Sequence, residues 1–143
     1  MMLQEYLRIG VRCAAAFRVT YWWPGDQPKP EALELAWEDG SAVVFDVKSD
    51  WTLTVTDGPW RDPYSGVDTS DPSWDLGTWT KDPIDDSDPG EAAVGSVLTD
   101  FVPHFNEVGE FSGLDLVFDA IVLHLEVRGG DLTVQQVGCS ATG

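Results

Sequence analysis

Two histidines come first for chemistry, because an imidazole changes charge near neutral pH and is a common ligand of transition metals. His124 lies in the run Val122-Leu123-His124-Leu125-Glu126, at a polar position of an alternating pattern, and reads as a half-exposed strand residue. His104 follows Pro103 and reads as a loop residue between Phe101 and Phe105. It has the chemistry of an acid or base, yet no nucleophile motif accompanies it. GxSxG, HExxH, a P-loop and a GxGxxG in its proper setting are all missing from the sequence. A zinc site on these two histidines would need carboxylates to finish it, and the histidines fall in different elements. The expectation is therefore no catalytic residue, no metal and no cofactor.

The densest oxygen-donor run is Asp82-Pro83-Ile84-Asp85-Asp86-Ser87-Asp88-Pro89-Gly90-Glu91. Calcium takes such ligands, but an EF-hand loop needs acids at positions 1, 3 and 5, Gly at 6 and Glu at 12. No register of this run satisfies that, and the run reads as a solvated acidic loop. A glycosidase would need one carboxylate in an apolar pocket with a raised pKa, and acids are too abundant here for any pair to stand out. Cys13 and Cys139 lie near opposite ends of the chain, in no metal-site or CxxC spacing. The start Met1-Met2-Leu3-Gln4-Glu5-Tyr6 lacks the basic and apolar regions of a secretory signal, so a cytoplasmic setting with reduced cysteines is expected.

The elements that would carry these residues are mostly strands. Residues 7 to 21 alternate, with Leu7, Ile9, Val11, Cys13, Ala15, Phe17, Val19 and Tyr21 on one parity, and read as a strand bent at Gly10; Leu3, Tyr6, Leu7 and Gly10 also stand at helical spacing, which makes a first helical turn the alternative. Arg8, Arg12 and Arg18 share the other parity and are expected to pair with carboxylates on neighbouring strands, Glu34 or Asp46. A three-strand antiparallel meander is expected over residues 31–57. Its turns fall at Asp39-Gly40 and Ser49-Asp50, and Leu33, Leu35, Trp37, Phe45, Val47, Leu53 and Val55 form its buried set. Val94, Val97, Leu98 and Phe101 stand at helical spacing, which predicts a short helix stopped by Pro103. Gly109 to Gly113 reads as a connection, Leu114 to Val127 as a long apolar run in which Leu123, Leu125 and Val127 alternate against Val122, His124 and Glu126, and Gly129-Gly130 as a hairpin turn with Leu125 and Leu132 on the core side. The fold class is mainly β, with α+β the alternative. It is an antiparallel meander sheet of six or seven strands, closed into a small barrel or stacked as a sandwich, with one short helix and one domain over 1–143.

Residues 57–91 stand apart as a long loop. They hold ten acidic residues against Arg61 and Lys81, four Asp-Pro pairs, and Trp60, Trp74 and Trp79. Pro disfavours helix at the preceding residue, and a loop of this length implies either a function or a second small core roofed by the tryptophans. The whole chain has 143 residues with 8 Lys+Arg against 25 Asp+Glu, a formal charge of −17. That balance argues against gripping nucleic acid or lying on anionic lipid, and no apolar run approaches the ~20 residues of a membrane span. It also fits a salt-adapted or GC-rich source with no partner implied.

Aromatic anchors in a charged surround suit a protein interface, and an acidic surface steers a basic partner. Trp60, Trp74, Trp79, Asp85, Asp86 and Asp88 are the expected partner-binding residues. In general character, being small, acidic and β-rich, the chain is similar to immunity proteins of bacterial toxin systems; the likeness rests on no motif and assigns no residue. The function expected is a non-enzymatic protein that neutralises a basic partner such as a toxin or nuclease, as an inhibitor or immunity factor would. One alternative is a small-ligand-binding barrel, or an enzyme built on one, with His104 or His124 at its rim. The other is an accessory domain with a solvated acidic surface. Residues 138–143 read as a flexible tail.

Overall fold

In a computed structural model the described residues form nine strands, not six or seven, in two antiparallel sheets. The structure describes residues 3–137 except 23–24, 26, 28, 49–50, 63–65, 67, 69, 71–76, 86–87 and 129–130. Strands β1 (Cys13–Trp22), β2 (Lys29–Trp37), β3 (Ala42–Val47), β4 (Leu53–Asp57) and β5 (Thr78–Pro83) form the first sheet, in the order β4-β3-β2-β1-β5. Strands β6 (Leu98–Phe105), β7 (Phe111–Phe118), β8 (Val122–Arg128) and β9 (Asp131–Gln136) form the second, in sequence order. The sheets do not close into a barrel; they enclose one apolar core. Leu33, Leu35, Phe45 and Leu53 enter it from the first sheet, and Leu114, Leu116, Phe118, Leu123 and Leu125 from the second. Among the described residues no helix is long and apolar enough to cross a membrane.

The first sheet follows from its alternation. Leu33 lies opposite Phe45 and Phe45 opposite Val55, and every member of the expected set is buried except Val47, which packs at the edge of the core. Gly40 makes the tight β2–β3 turn with φ at +91°, a conformation that costs a glycine little. Ser49-Asp50 lies outside the described residues, and Trp51, just after it, has φ at +64°. The Gly129-Gly130 dipeptide is likewise outside them, but Arg128 pairs with Asp131 across it, and Leu125 and Leu132 are buried.

Four expectations are corrected. First, the alternation from residue 7 does not hold as one strand: Leu3–Glu5 is a 3-10 turn, Gly10 bends the chain at φ +89°, and β1 starts at Cys13. A bulge then places Cys13 opposite Trp37 and Ala15 opposite Ala36, leaving Ala14 extra. The bulge shifts the parity, so Cys13 and Ala16 face the main core, while Val19 joins Ala32 and Val44 in a second cluster. Second, no helix spans Val94–Phe101. Asp88 caps a short 3-10 turn over Pro89–Ala93, and Gly95 at φ +88° leaves the helical path. Val97 bridges to Arg12, and β6 begins at Leu98. Third, Pro103 does not end that element, because β6 is an edge strand where a missing N–H is tolerated. Fourth, the β6–β7 turn is centred on 106–110, not 109–113: the Asn106 amide donates to the Glu110 carbonyl at 2.8 Å, and β7 resumes at Phe111.

Candidate functional site

Three neighbouring strands of the second sheet carry His104 (β6), Asp115 (β7) and His124 (β8). The pleat explains their common face. Leu114, Leu116, Leu123 and Leu125 fill the core, so the residues between them point outward. The register sets Asp115 opposite His124 and Gly113 opposite His104. A Cβ at Gly113 would lie 3.1 Å from the Leu125 carbonyl oxygen and 3.4 Å from the His104 Cβ, so it would crowd the β8 backbone while meeting His104 at ordinary contact distance.

Asp115 uses both carboxylate oxygens. Oδ2 lies 2.9 Å from His104 Nε2 and Oδ1 lies 2.5 Å from His124 Nδ1. The imidazole centroids are 5.7 Å apart. Partial burial pushes the Asp115 carboxyl upward, but the hydrogen bonds to His124 and His104, with their charge, outweigh it and hold the group below the ordinary carboxylate range. On the far side of His124, Nε2 lies 3.6 Å from Glu126 Oε2, and the Arg128 Nε donates to that same oxygen at 2.6 Å. The histidines line a groove of about 530 Å³ whose other walls include Trp51, Phe105 and Glu126. Trp51 and Phe105 are 60% and 61% exposed, so their rings flank an open mouth.

In the sequence the two histidines stand in different elements with no carboxylate assigned to them; β7, between their strands, supplies both the proximity and Asp115. Asp115 is the residue that sequence reasoning missed. Its signal is a charge between Leu114 and Leu116 in a core strand, which marks an outward position but not its neighbours. Those neighbours follow only from the register.

The acidic segment is arranged differently. Trp60 and Trp79, with centroids 5.8 Å apart, pack on Val19, Ala32 and Val44, covering the outer face of the first sheet as a second small core. Beneath them Glu34 is 2% exposed; Trp60 N–H donates to its Oε1 at 2.8 Å, and Lys81 Nζ donates to both its oxygens at 3.2 and 3.3 Å. The arginines do find carboxylates, though not Glu34 or Asp46. Arg8 meets Asp39 at 3.7 Å, Arg12 meets Glu38 at 3.9 Å, and Arg18 meets Asp88 at 2.7 Å. The bulge and the bend before β1 separate these three onto different neighbours. Asp88 also accepts from the Gly90 amide at 2.9 Å. Asp85 is exposed and shares a groove of about 390 Å³ with Arg18, Asp82, Ile84 and Asp88. Trp74 and Asp86 lie outside the described residues.

Cys13 is fully buried, and burial pushes its thiol up to about 11 despite its bond to the Ala15 carbonyl; Cys139 lies outside the described residues. Comparison with protein-family models, curated proteins and solved structures finds no match to this chain.

Proposed function

We propose that the protein is a non-enzymatic binding domain that captures a basic protein partner, in the manner of an inhibitor or immunity factor. The observation that carries this reading is the groove beside β5, which is lined by Asp82, Asp85 and Asp88 together with Arg18, the last two paired at 2.7 Å. Such a groove suits the insertion of Lys or Arg side chains, and the chain's charge of −17 draws a cationic surface toward it. The Arg18–Asp88 pair braces the groove, while Trp60 and Trp79 pack on Val19, Ala32 and Val44 elsewhere on the same sheet. Trp74 and Asp86, which lie outside the described residues, remain part of this proposal on the sequence alone. The cytoplasmic setting belongs to this proposal too.

The test is capture from a lysate of the source cell at low salt, followed by kinetics against the partner identified. The expected partner is basic, and its association rate falls steeply as salt rises, because exposed charges are screened beyond about 8 Å at physiological ionic strength. Asp82→Asn combined with Asp85→Asn lowers the on-rate and flattens its salt dependence, with little change in the off-rate. A neutral or acidic partner, or an on-rate indifferent to both substitutions, overturns the reading. A small-ligand or catalytic role is the second reading; the 530 Å³ groove holding His104 and His124 favours it.

A further inference from the structure

We propose that His104 Nε2, His124 Nδ1 and a carboxylate oxygen of Asp115 form a binding site for one zinc ion, open on its fourth side to the groove between Trp51 and Phe105. The three side chains each offer a ligand atom, and these atoms all lie within 4.8 Å of one another. A tetrahedral zinc ion with ligands at about 2.0–2.2 Å separates them by about 3.3–3.5 Å. The two contacts to Asp115, at 2.9 and 2.5 Å, are shorter than that, so the side chains must part by up to about 1 Å to admit an ion. The three residues stand on hydrogen-bonded strands whose register presents them together.

Two features beyond the ligand atoms point the same way. A metal-bound imidazole characteristically turns its other nitrogen to a carboxylate, which fixes the ring and strengthens it as a ligand. His124 approaches that arrangement: Nε2 lies 3.6 Å from Glu126 Oε2, longer than a hydrogen bond, and Glu126 is held in turn by Arg128. When the ion enters, His124 presents the Nδ1 lone pair and carries its proton on Nε2, toward Glu126. The other feature is the groove. Three protein ligands with a solvent-facing fourth position is the pattern of a zinc site that keeps room for water or an incoming ligand. Two nitrogen donors with one oxygen select zinc and related transition ions over calcium and magnesium, which favour all-oxygen sites. This site lies on the second sheet and does not depend on the acidic groove beside β5.

The experiment uses the full chain without a histidine tag, stripped with chelator and titrated with Co²⁺ as a visible probe and then with Zn²⁺. The expected result is one Co²⁺ bound per chain with visible ligand-field absorption, displaced by stoichiometric Zn²⁺ and untouched by excess Ca²⁺ or Mg²⁺. Asp115→Asn and His124→Ala each weaken Zn²⁺ binding by about 100-fold or more, and Glu126→Gln by about 10-fold. Far-UV circular dichroism in chelator checks that each variant is folded. Independently of any variant, bound Co²⁺ broadens the ring proton signals of His104 and His124 in the wild-type NMR spectrum. Absence of the absorption overturns the proposal. So does binding that survives both ligand substitutions, or broadening centred on the carboxylates of 57–91.

Discussion

Glu34 stands at the polar parity of β2, between Leu33 and Leu35, yet it is buried. A buried charge persists only if it is paired and its oxygens are satisfied. Lys81 from β5 and the Trp60 amide supply those partners, so one side chain ties the start of the 57–91 segment and the edge strand to the middle of the sheet. Lys81→Met, which strands the carboxylate, is expected to cost about 3 kcal/mol in a urea melt at pH 7. Adding Glu34→Gln should recover most of that, because the amide oxygen still accepts from Trp60 without a charge to neutralise. Asp46 is a milder case. Burial pushes its carboxyl above the ordinary value of 3.8, against the pull of the Val47 amide. The folded state therefore holds the Asp46 proton more tightly than the unfolded chain. The associated stability is fully present below about pH 4 and is lost as pH rises through the folded pKa. Asp46→Asn should raise the urea midpoint at pH 7, and the gain should close as the pH is taken below 4. A constant gain at every pH would remove burial of charge as the explanation.

The strands of residues 31–57 were legible because alternation, β-branching and an Asp-Gly turn all point to one pairing. Val94–Phe101 was not, because Val94, Val97, Leu98 and Phe101 satisfy a helical stripe while Leu98 satisfies a strand equally well. Gly95 decides between them. With φ at +88° and nothing within 4 Å of its missing Cβ, Gly95→Ala meets backbone strain and no steric clash. It should destabilise the protein by about 1 kcal/mol. In a helix the same change would stabilise by a similar amount, so the sign of the shift in a denaturant melt separates the two structures. The candidate site was half legible. His104 and His124 were visible as chemistry. Their convergence was not, since it depends on β6 continuing through Pro103 and on a register that seats Asp115 opposite His124. The bulge at Ala14 was hidden for a related reason: a run of small residues, Ala14-Ala15-Ala16, carries no size signal to show which face each takes.

At the scale of the molecule, charge and core pull in opposite directions. The two sheets share one apolar interior, while the surface carries most of the −17 charge. Like charges within a Debye length repel and favour the expanded chain. Raising salt from about 10 mM to about 150 mM shortens that length from about 30 Å to about 8 Å. The melting temperature should therefore rise over this range, although the ion pairs at Arg8, Arg12 and Arg18 weaken. A melting temperature that falls would mean those pairs outweigh the repulsion.

The order of the two sheets along the chain has a consequence for synthesis. The five-stranded sheet is complete at Pro83, whereas the four-stranded sheet that covers its inner face ends at Gln136. At translation rates of about 5–20 residues per second, Leu33, Leu35, Phe45 and Leu53 wait roughly 3–10 s for their cover. During that wait the nascent chain presents an open apolar sheet to its surroundings. Its protection is electrostatic, since the ten acids of residues 57–91 emerge with the last strand of that sheet and keep neighbouring nascent chains apart.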